Sequence, residues 1–259
     1  MSFKETIRKS YEEIRKAGDL SPSSRINRLF GDLVREVTHT FDEEASLSPK
    51  EERLLQDLCS RAEYELERYW AKRIIASSSP QKELLRFPYF KNYFDLTRLE
   101  WLSLQSCQAH KNHKILFVGG GPLPLTAIML AREFGAPSTV IDIDETAVAL
   151  SRQLITRLGL GSMVRILRDD ARQFRDYGKF SSIFVAALAG LLPSHKEDIF
   201  LRVKQKAKKE THIIARSSWG NRRLLYRPLS PKAYRHFEPV LQIDPYSDIV
   251  NSVVILKKT

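Results

Sequence analysis

The chain contains one run of three consecutive glycines: Gly119, Gly120 and Gly121. An apolar run of strand length, residues 114–118, precedes them, and apolar residues at helical spacing follow them as far as Ala131. Glycine reaches backbone angles that other residues avoid, and it lets a ligand lie against the main chain. A strand, a glycine turn and a helix open a βαβ nucleotide-binding unit, in which Pro122 suits the first helical turn. The glycines are therefore predicted to bind a nucleotide-like cofactor.

An acidic segment ends the next predicted strand, about twenty residues after the glycines. Residues 138–143 form that strand, and Asp142 lies nearer its end than Asp144. A carboxylate at this place can accept both ribose hydroxyls of an adenosine cofactor, so we favour Asp142, with Ile143 beside it. The alternative is that these acids cap the helix that starts near Thr146, and it is the better interpretation of Asp144.

Asp170 and Ala171 follow the third predicted strand, residues 164–167. In class I S-adenosylmethionine (SAM) folds this position usually supplies an acceptor for the adenine amine. The alternative is that Asp170 is a plain turn residue. The glycines, Asp142 and Asp170 thus all follow predicted strands, and the carboxyl ends of parallel strands are where such folds bind their ligands.

These candidates belong to the second of two predicted regions. Residues 1–112 are expected to form a helical domain that serves as a wall or lid for the substrate, and 113–259 a Rossmann-like domain that binds SAM. Further strands are predicted at 180–186, 211–216 and 252–256. The predicted fold class is α/β, a doubly wound sheet of the class I SAM-dependent transferases with an N-terminal α-helical domain. The border is expected in the polar stretch 108–113.

Apolar residues at three- and four-residue spacings predict the helices of the N-terminal region. Helices are predicted over 4–17, 24–41 and 49–76. Ser48 and Pro49 mark the start of the third, as an N-cap followed by proline at the first helical position. A fourth helix, bent near Pro88, carries more aromatic residues than a surface helix can expose. Its aromatic residues form either core or the wall of a pocket.

Composition narrows the classes of function. The net charge of +11 raises nucleic acid as a partner, but the charges are spread along the chain without a recognition motif, so no nucleic acid is expected. No apolar run reaches the roughly eighteen residues of a membrane span, and the N-terminus is predicted to be a charged helix rather than a signal peptide. Cys59 and Cys107 lack partner spacing, which favours a reducing cytoplasm. The six histidines show no paired ligand spacing, so no metal site is expected.

Three motifs of the second region resemble those of nicotianamine synthases. They are residues 119–126 (GGGPLPLT), 185–190 (VAALAG), and 214–220 (IARSSWG) followed by Leu225 and Tyr226. The resemblance covers most of the chain from Glu63 onward. Because the chain is short, it looks closer to the compact bacterial nicotianamine-synthase-like enzymes that make opine metallophores of the staphylopine and pseudopaline type.

The resemblance implies an activity. In that bacterial group, the enzyme transfers the 3-amino-3-carboxypropyl (aminobutyrate) group of SAM to the α-amine of histidine, D or L, and releases 5′-methylthioadenosine. A separate opine dehydrogenase then adds a 2-oxo acid. A nicotianamine synthase proper, which condenses three such units, is the first alternative. A SAM-dependent methyltransferase acting on RNA or a small molecule is the second. A homodimer is common for such folds, and no metal is needed for the transfer itself.

The resemblance also implies site residues. Glu67, by its position relative to Ser79 and Pro80, matches a family glutamate, and Tyr93 matches the tyrosine that contacts the reacting substrate, so these two are the expected catalytic residues. Substrate binding is expected from Glu67, Phe90, Tyr93, Arg216 and Tyr226. SAM binding is expected from Gly119, Gly120, Gly121, Pro122, Leu123, Asp142, Ile143, Asp170, Ala171, Ala187 and Leu188.

Taken alone, these residue types have simpler interpretations. Glu67 lies in a charged helical stretch and suits a solvated face, although burial on the stripe that it shares with Glu63 would raise the pKa of its carboxyl towards a useful range. Tyr93, like most aromatic residues on such a helix, suits the core. Arg216 lies at the end of the fifth predicted strand, where its guanidinium suits either a substrate carboxylate or a surface ion pair.

Overall fold

The structure is a computed structural model, and it describes residues 2–107, 113–190, 192–245 and 248–259. Its helices are α1 (Phe3–Lys16), α2 (Ser24–His39), α3 (Pro49–Ala76), α4 (Pro80–Leu84), α5 (Phe90–Cys107), α6 (Leu125–Phe134), α7 (Glu145–Arg157), α8 (Pro193–Lys206) and α9 (Pro231–Tyr234). Its strands are β1 (Ile115–Val118), β2 (Ser138–Asp142), β3 (Val164–Arg168), β4 (Ser182–Val185), β5 (His212–Ser217), β6 (Glu238–Ile243) and β7 (Ser252–Lys257). Short 3₁₀ segments cover Asp176–Lys179 and Gly220–Leu224.

The strands form one sheet in the order β3-β2-β1-β4-β5-β7-β6. Strands β1 to β5 are parallel, whereas β7 runs antiparallel to β5 and β6 antiparallel to β7. Every residue of β1 and β4 is buried, in keeping with sequences that are apolar throughout β1 and, after Ser182, throughout β4. The strand order reverses at β1, between β2 and β4, and a crevice forms at such a point. The doubly wound α/β sheet predicted from the sequence is confirmed.

Strand β6 is the one element of the sheet that sequence patterns do not predict. It lies at the edge of the sheet, most of its residues are exposed, and Pro239 lies inside it. Proline cannot donate to a strand ladder and is confined to edge positions, so it argues against a strand when only the sequence is read. The closing strand β7, predicted at 252–256, is confirmed beside it.

The third helix begins as predicted. The Ser48 side chain accepts a hydrogen bond from the Glu51 main-chain N–H, and the Glu51 carboxylate accepts one from the Ser48 N–H at 2.7 Å. This reciprocal capping, with Pro49 at the first helical position, satisfies donors that the helix leaves unpaired. Helix α3 then continues to Ala76. Its length lets it pass from the N-terminal helices to the edge of the cavity described below.

Two local predictions are wrong. The predicted bent fourth helix is two helices, α4 and α5, because Pro88 lacks an N–H and disfavours helical geometry in the residue before it. Pro122 does not lie in the first turn of a helix, because α6 begins only at Leu125, with Pro124 at its N-cap. Pro122 instead lies in the turn that connects the glycines to α6.

The buried apolar residues form two clusters. The larger one joins the sheet to α4, α5 and the end of α3, and Leu96, Leu104 and Ile74 are among its members. The smaller one joins α1, α2 and the first half of α3 to Leu224 and Leu225. Residues 108–112 of the predicted border lie outside the described residues, and the division of the chain there stays a prediction. In the described part of the chain, no helix has the length and apolar character needed to cross a bilayer.

Candidate active site

A cavity of about 910 Å³ opens at the carboxyl ends of β1, β2 and β4, where the strand order reverses. Helix α3 and the loop 18–21 between α1 and α2 also line it. Two groups of lining residues are distinguished below. The glycine cluster is Gly119, Gly120, Gly121, Asp142 and Asp170. The glutamate cluster is Glu63, Glu67, Tyr93 and Tyr226.

The three glycines are each required for a different reason. Gly119 has φ of +84° and Gly121 has φ of +64°, a region that other residues rarely adopt. A Cβ on Gly120 would overlap the side chain of Val140 in β2, so this residue must be small for the turn to pack on the sheet. A Cβ on Gly121 would lie 2.5 Å from Oε2 of Glu67. The glycine turn therefore makes room for a carboxylate from α3 as well as for a ligand.

Asp142 ends β2 beside the glycine turn. Its carboxylate accepts hydrogen bonds from the main-chain N–H of Gly121 at 2.8 Å and of Asp144 at 2.9 Å. Burial raises the pKa of Asp142, although these N–H donors act in the opposite direction. The carboxylate is thus held at the edge of the cavity, at the position from which Rossmann-like folds contact a ribose.

Two neighbours of Asp142 have separate roles. Asp144 is the N-cap of α7, and its side chain accepts a hydrogen bond from the Ala147 N–H at 2.6 Å. The capping interpretation of Asp144 is therefore confirmed. Ile143 lines the cavity and is 58% exposed, which is unusual for a large apolar side chain. It gives this edge of the cavity an exposed apolar surface.

Asp170 lies in the turn after β3 and lines the cavity. It accepts hydrogen bonds from the Arg172 main-chain N–H at 2.9 Å and from the Arg172 guanidinium, including one at 2.7 Å. The Arg172 side chain holds the pKa of Asp170 below its usual range. Asp170 thus orders its turn and still borders the cavity. Four other predicted contact residues also line it: Leu123, Ala171, Ala187 and Leu188.

The glutamate cluster brings together residues that are far apart in the sequence. Glu63 and Glu67 are one helical turn apart on α3, and the hydroxyl of Tyr93 on α5 lies 2.9 Å from Glu63 Oε1 and 3.1 Å from Glu67 Oε1. Tyr226, which follows β5 in the sequence, donates to Glu63 Oε2 at 2.6 Å. Two carboxyls and two phenols therefore form one hydrogen-bonded group on the wall of the cavity.

Burial alters the acid–base properties of this group. Glu67 is only 8% exposed, and burial, reinforced by the nearby carboxyl of Glu63, raises its pKa well above the usual range. Burial also raises the pKa of Glu63, and hydrogen bonds from Tyr226 and Tyr93 act against that rise. A carboxyl with a raised pKa is better matched to a proton transfer near neutral pH than an exposed one.

Arg216 lies near the glutamate cluster but its guanidinium is already bound. It donates to both carboxylate oxygens of Glu100 on α5, at 2.7 and 2.9 Å, and to the hydroxyl of Thr126 at 2.6 Å. Both partners of the ion pair are buried, so the interpretation of Arg216 as a surface ion pair is wrong. Its guanidinium carbon also lies 5.8 Å from the centre of the Tyr93 ring. In this arrangement Arg216 supports Tyr93 and lines the cavity.

Two predicted contact residues lie apart from the cavity lining. Phe90 is partly buried and packs against the larger hydrophobic cluster, and Pro122 is buried in the turn; neither is among the described residues that line the cavity. Two residues of the site were not expected, Glu63 as part of the hydrogen-bonded group and Glu100 as the partner of Arg216. The four-residue spacing of Glu63 and Glu67 is the one signal that could have indicated the first, whereas the second depends on a contact between α5 and β5.

The glycine cluster and the glutamate cluster give the cavity two chemically different walls. The first offers main-chain turns and a carboxylate that suit a nucleoside, and the second offers a buried carboxyl and phenols that suit a proton transfer. No group of three or more histidine, cysteine, aspartate or glutamate side chains within the described ranges is arranged to hold a metal ion.

Known proteins resemble this one over nearly the whole chain. The family model described as "Nicotianamine synthase protein" matches residues 2–259. Nicotianamine synthase 1 of Oryza sativa subsp. indica is 30% identical over 268 residues, which cover 98% of this chain and 80% of that protein. Among solved structures, a glutamate-to-glutamine variant of MtNAS in complex with S-adenosylmethionine aligns with a TM-score of 0.86 and 26% identity, over 100% of this chain and 98% of that one.

A second crystal structure, MtNAS in complex with MTA and tNA, aligns with a TM-score of 0.87 and 25% identity, over 98% of this chain and 97% of that one. The family model and the relatives span both the helical N-terminal part and the sheet, so the match does not come from the nucleotide-binding unit alone. The chain belongs to the nicotianamine synthase family.

Proposed function

We propose that this protein transfers the 3-amino-3-carboxypropyl group of SAM to the α-amine of histidine and releases 5′-methylthioadenosine. The donor lies against the glycine cluster, with its ribose at Asp142 and its adenine near Ile143 and Asp170. The acceptor amine lies at Glu67 and Tyr93. Family membership supports a SAM-dependent transferase, and SAM is bound in a solved relative. The histidine acceptor rests on the resemblance to the compact bacterial enzymes.

The observation that carries this proposal is the contact between the two clusters. The carboxyl of Glu67 reaches the glycine turn so closely that a Cβ on Gly121 would lie 2.5 Å from its Oε2. A buried carboxyl with a raised pKa thus lies directly beside the turn that binds the donor. A carboxyl with a raised pKa at this place suits an amine nucleophile, which must lose a proton during the transfer, and the product assay below distinguishes attack on the γ-carbon of SAM from attack on its methyl group.

The reaction is a displacement at the γ-carbon of the aminobutyrate chain. The lone pair of the acceptor nitrogen forms the N–C bond, the C–S bond breaks, and its electron pair stays on sulfur, which becomes the neutral thioether of 5′-methylthioadenosine. The nitrogen gives up a proton to Glu67. A free α-amine has a pKa of about 8, so a base that keeps it neutral accelerates the attack. The sulfonium is already a good leaving group, so the protein contributes mainly alignment.

A second cavity supports an acceptor with an uncharged side chain. It has a volume of about 120 Å³ and shares Glu63, Tyr93 and Tyr226 with the larger one. Its other lining residues are mostly apolar or aromatic, and the amide side chains of Asn27 and Asn92 also line it. No lysine or arginine is among the described residues that line it. Such a pocket suits a neutral imidazole better than the carboxylates of a growing chain of aminobutyrate units.

The helical domain, residues 1–112 by our division, would act as the cover of the site. Its α3 and loop 18–21 line the cavity and would present the γ-carbon rather than the methyl group of SAM to the acceptor. The product carries amines, carboxylates and an imidazole, which together suit a transition-metal chelator. A cytoplasmic opine dehydrogenase would next condense it with a 2-oxo acid. The scheme is the same for a monomer and for a homodimer.

Mass spectrometry of products tests the proposal. Purified protein is incubated with SAM and L-histidine, with SAM and D-histidine, with SAM and imidazole, and with SAM alone. We expect 5′-methylthioadenosine and a histidine–aminobutyrate adduct with one histidine enantiomer. Imidazole, which has the ring without the α-amine, should give no adduct.

The other outcomes identify the alternatives. Products of several aminobutyrate units from SAM alone would indicate nicotianamine synthase activity, the function named for the plant relatives. Release of S-adenosylhomocysteine with a methylated acceptor would contradict aminobutyrate transfer altogether and indicate a methyltransferase.

A further inference from the structure

The hydroxyl of Tyr93 lies within hydrogen-bond distance of two carboxyls at once. It is 2.9 Å from Glu63 Oε1 and 3.1 Å from Glu67 Oε1. A phenol has a single hydrogen to donate. If both carboxyls were ionised, one of these short contacts would bring a carboxylate oxygen against a phenol oxygen with no hydrogen between them. At least one of the two glutamates therefore carries a proton when the cavity has this geometry.

The surrounding groups indicate which one. Glu63 has a donor at each oxygen, Tyr226 at 2.6 Å and Tyr93 at 2.9 Å, and the positive charge of Arg216 favours its ionised form. Glu67 has the negative charges of Glu63 and Asp142 nearby, which disfavour ionisation, and a single main-chain donor, the Leu123 N–H, which favours it. The proton therefore resides on Glu67, which donates to Tyr93, which in turn donates to Glu63.

We propose that Glu63 and Glu67 hold one proton between them across the Tyr93 hydroxyl, and that Glu63 is the positioning residue that takes this proton when Glu67 acts as the base. The exchange is balanced: the hydrogen of Glu67 moves to the Tyr93 oxygen while the hydrogen of Tyr93 moves to Glu63. Glu67 is then ionised and Glu63 is neutral, with no net change of charge in the cluster. The shared proton is inferred from the distances to the Tyr93 hydroxyl, whereas the use of this proton in catalysis rests on the proposed function.

Other charged or titratable groups lie near Glu63 and Glu67. They are Cys59 on α3, Tyr89 before α5, Glu100 on α5, Asp142 on β2 and Arg216 on β5. Burial raises the pKa of Cys59 and of Tyr89, so neither is charged near neutral pH. Glu100 is paired with Arg216, whose positive charge also acts on Glu63. The pair of glutamates is therefore the group in this neighbourhood that can exchange a proton.

Infrared difference spectroscopy of the protein without substrates tests the sharing. At pH 7 the carbonyl stretch of a protonated carboxyl is compared in wild type, Glu63→Gln, Glu67→Gln and Glu52→Gln. Glu52 is on the same helix outside the cavity lining and serves as the matched control. We expect wild type and Glu52→Gln to show the band and both Glu63→Gln and Glu67→Gln to lose it, because the single hydrogen of Tyr93 then serves one remaining carboxylate and no second proton is required.

Two results would overturn the sharing. One is a band that persists in either single variant, which would mean that one glutamate holds the proton independently. The other is no band in wild type. If Glu63→Gln does not fold, as circular dichroism would reveal, Glu67→Gln decides by itself, since a protonated carboxyl that persists there contradicts a shared proton. None of these readouts requires turnover, so they remain valid if the proposed reaction is wrong.

The kinetic role of Glu63 has a separate test. Removal of its charge should lower the pKa of Glu67, so the acidic limb of the kcat/KM profile in Glu63→Gln should move down by about one pH unit or more. Glu63→Asp, which retains a carboxyl, should keep the limb near its wild-type position. An equal loss of kcat/KM at every pH without movement of the limb would indicate a purely structural role and contradict the proposal.

Discussion

The glycine cluster and the glutamate cluster line the same cavity but are built in opposite ways. The glycine cluster lies at the ends of β1, β2 and β3, and its side-chain hydrogen bonds span at most 21 residues in the sequence, as between Asp142 and the main chain of Gly121. The glutamate cluster consists of side chains from α3, α5 and the segment after β5, separated by up to 163 residues in the sequence.

Asp170 and Glu67 show the contrast between the clusters, although burial also raises the pKa of Asp142 in the glycine cluster. Arg172 holds the pKa of Asp170 below its usual range, whereas burial raises the pKa of Glu67 well above it. A carboxylate that stays ionised suits the recognition of hydroxyl and amine donors, and a carboxyl with a raised pKa suits proton transfer. If the proposed function is correct, turns at the ends of neighbouring strands bind the donor, and contacts between distant segments provide the chemistry.

The largest effect is expected when the proposed base, Glu67, is replaced, because turnover should fall while SAM affinity is kept. Glu67→Gln keeps the size of the side chain but cannot accept the proton, so turnover should fall by about 10²–10⁴-fold, while SAM affinity should stay within a few-fold of wild type. Release of 5′-methylthioadenosine measures the first and isothermal titration with SAM the second. Wild-type turnover in this variant would remove the carboxyl from the mechanism.

The second-largest effect is expected from the buried ion pair behind the glutamate cluster, and it concerns the stability of the fold. Arg216→Met leaves Glu100 buried without its partner, and a broken buried pair costs about 3–5 kcal/mol in the free energy of unfolding. The matched control is Arg35→Met, which breaks an exposed pair with Asp32 and should cost less than about 1 kcal/mol. Urea unfolding measures both. Equal losses would mean that burial of the Arg216 pair has no energetic consequence.

The contact between the clusters can be tested through a pair of glycines. Gly121→Ala adds a Cβ that would meet Glu67, and Gly159→Ala adds one that meets no atom within 4 Å, while both glycines have positive φ. Both variants bear the strain of a left-handed residue, about 1–2 kcal/mol, in their free energy of unfolding. Turnover should fall by about tenfold or more in Gly121→Ala only. Equal turnover in the two variants would contradict the close approach of Glu67 to the turn.

The smallest effect is expected for the two aspartates near the end of β2, one of which should affect stability and the other SAM binding. Asp144→Ala removes the N-cap of α7 and should cost about 1 kcal/mol in the free energy of unfolding with unchanged SAM affinity. Asp142→Asn should weaken SAM binding instead, because the amide no longer accepts two ribose hydroxyls as an anion. Titration with SAM and thermal unfolding of both variants measure this. A loss of SAM affinity in Asp144→Ala would reverse the assignment.

Much of the fold follows from local patterns. The strands of the sheet other than β6 coincide with apolar runs, and α3 begins at the serine and proline that mark its start. The patterns failed where proline changed the local geometry, at Pro88, Pro122 and Pro239. In each case the consequence of proline depends on whether the neighbouring main chain continues a helix, forms a turn or lies at a sheet edge.

The glycine cluster could be predicted for the same reason. A glycine turn after a strand and an acid after the next strand are local features, and parallel pairing brings them to one edge of the sheet. The role of Arg216 could not be predicted in this way. A guanidinium at a strand end suits any carboxylate, and only the position of Glu100 on α5 shows which carboxylate it binds.

The sequence by itself determined the doubly wound sheet, the turn at residues 119–121 and the family, because these depend on residue types at short and regular spacings. Only the tertiary structure decided that Glu63, Glu67, Tyr93 and Tyr226 form one hydrogen-bonded group. Hydrogen bonds and burial shifts of pKa depend on distances of a few ångströms between segments that are far apart in the chain. Those distances are set by how α3 and α5 pack against the sheet, and no local pattern records them.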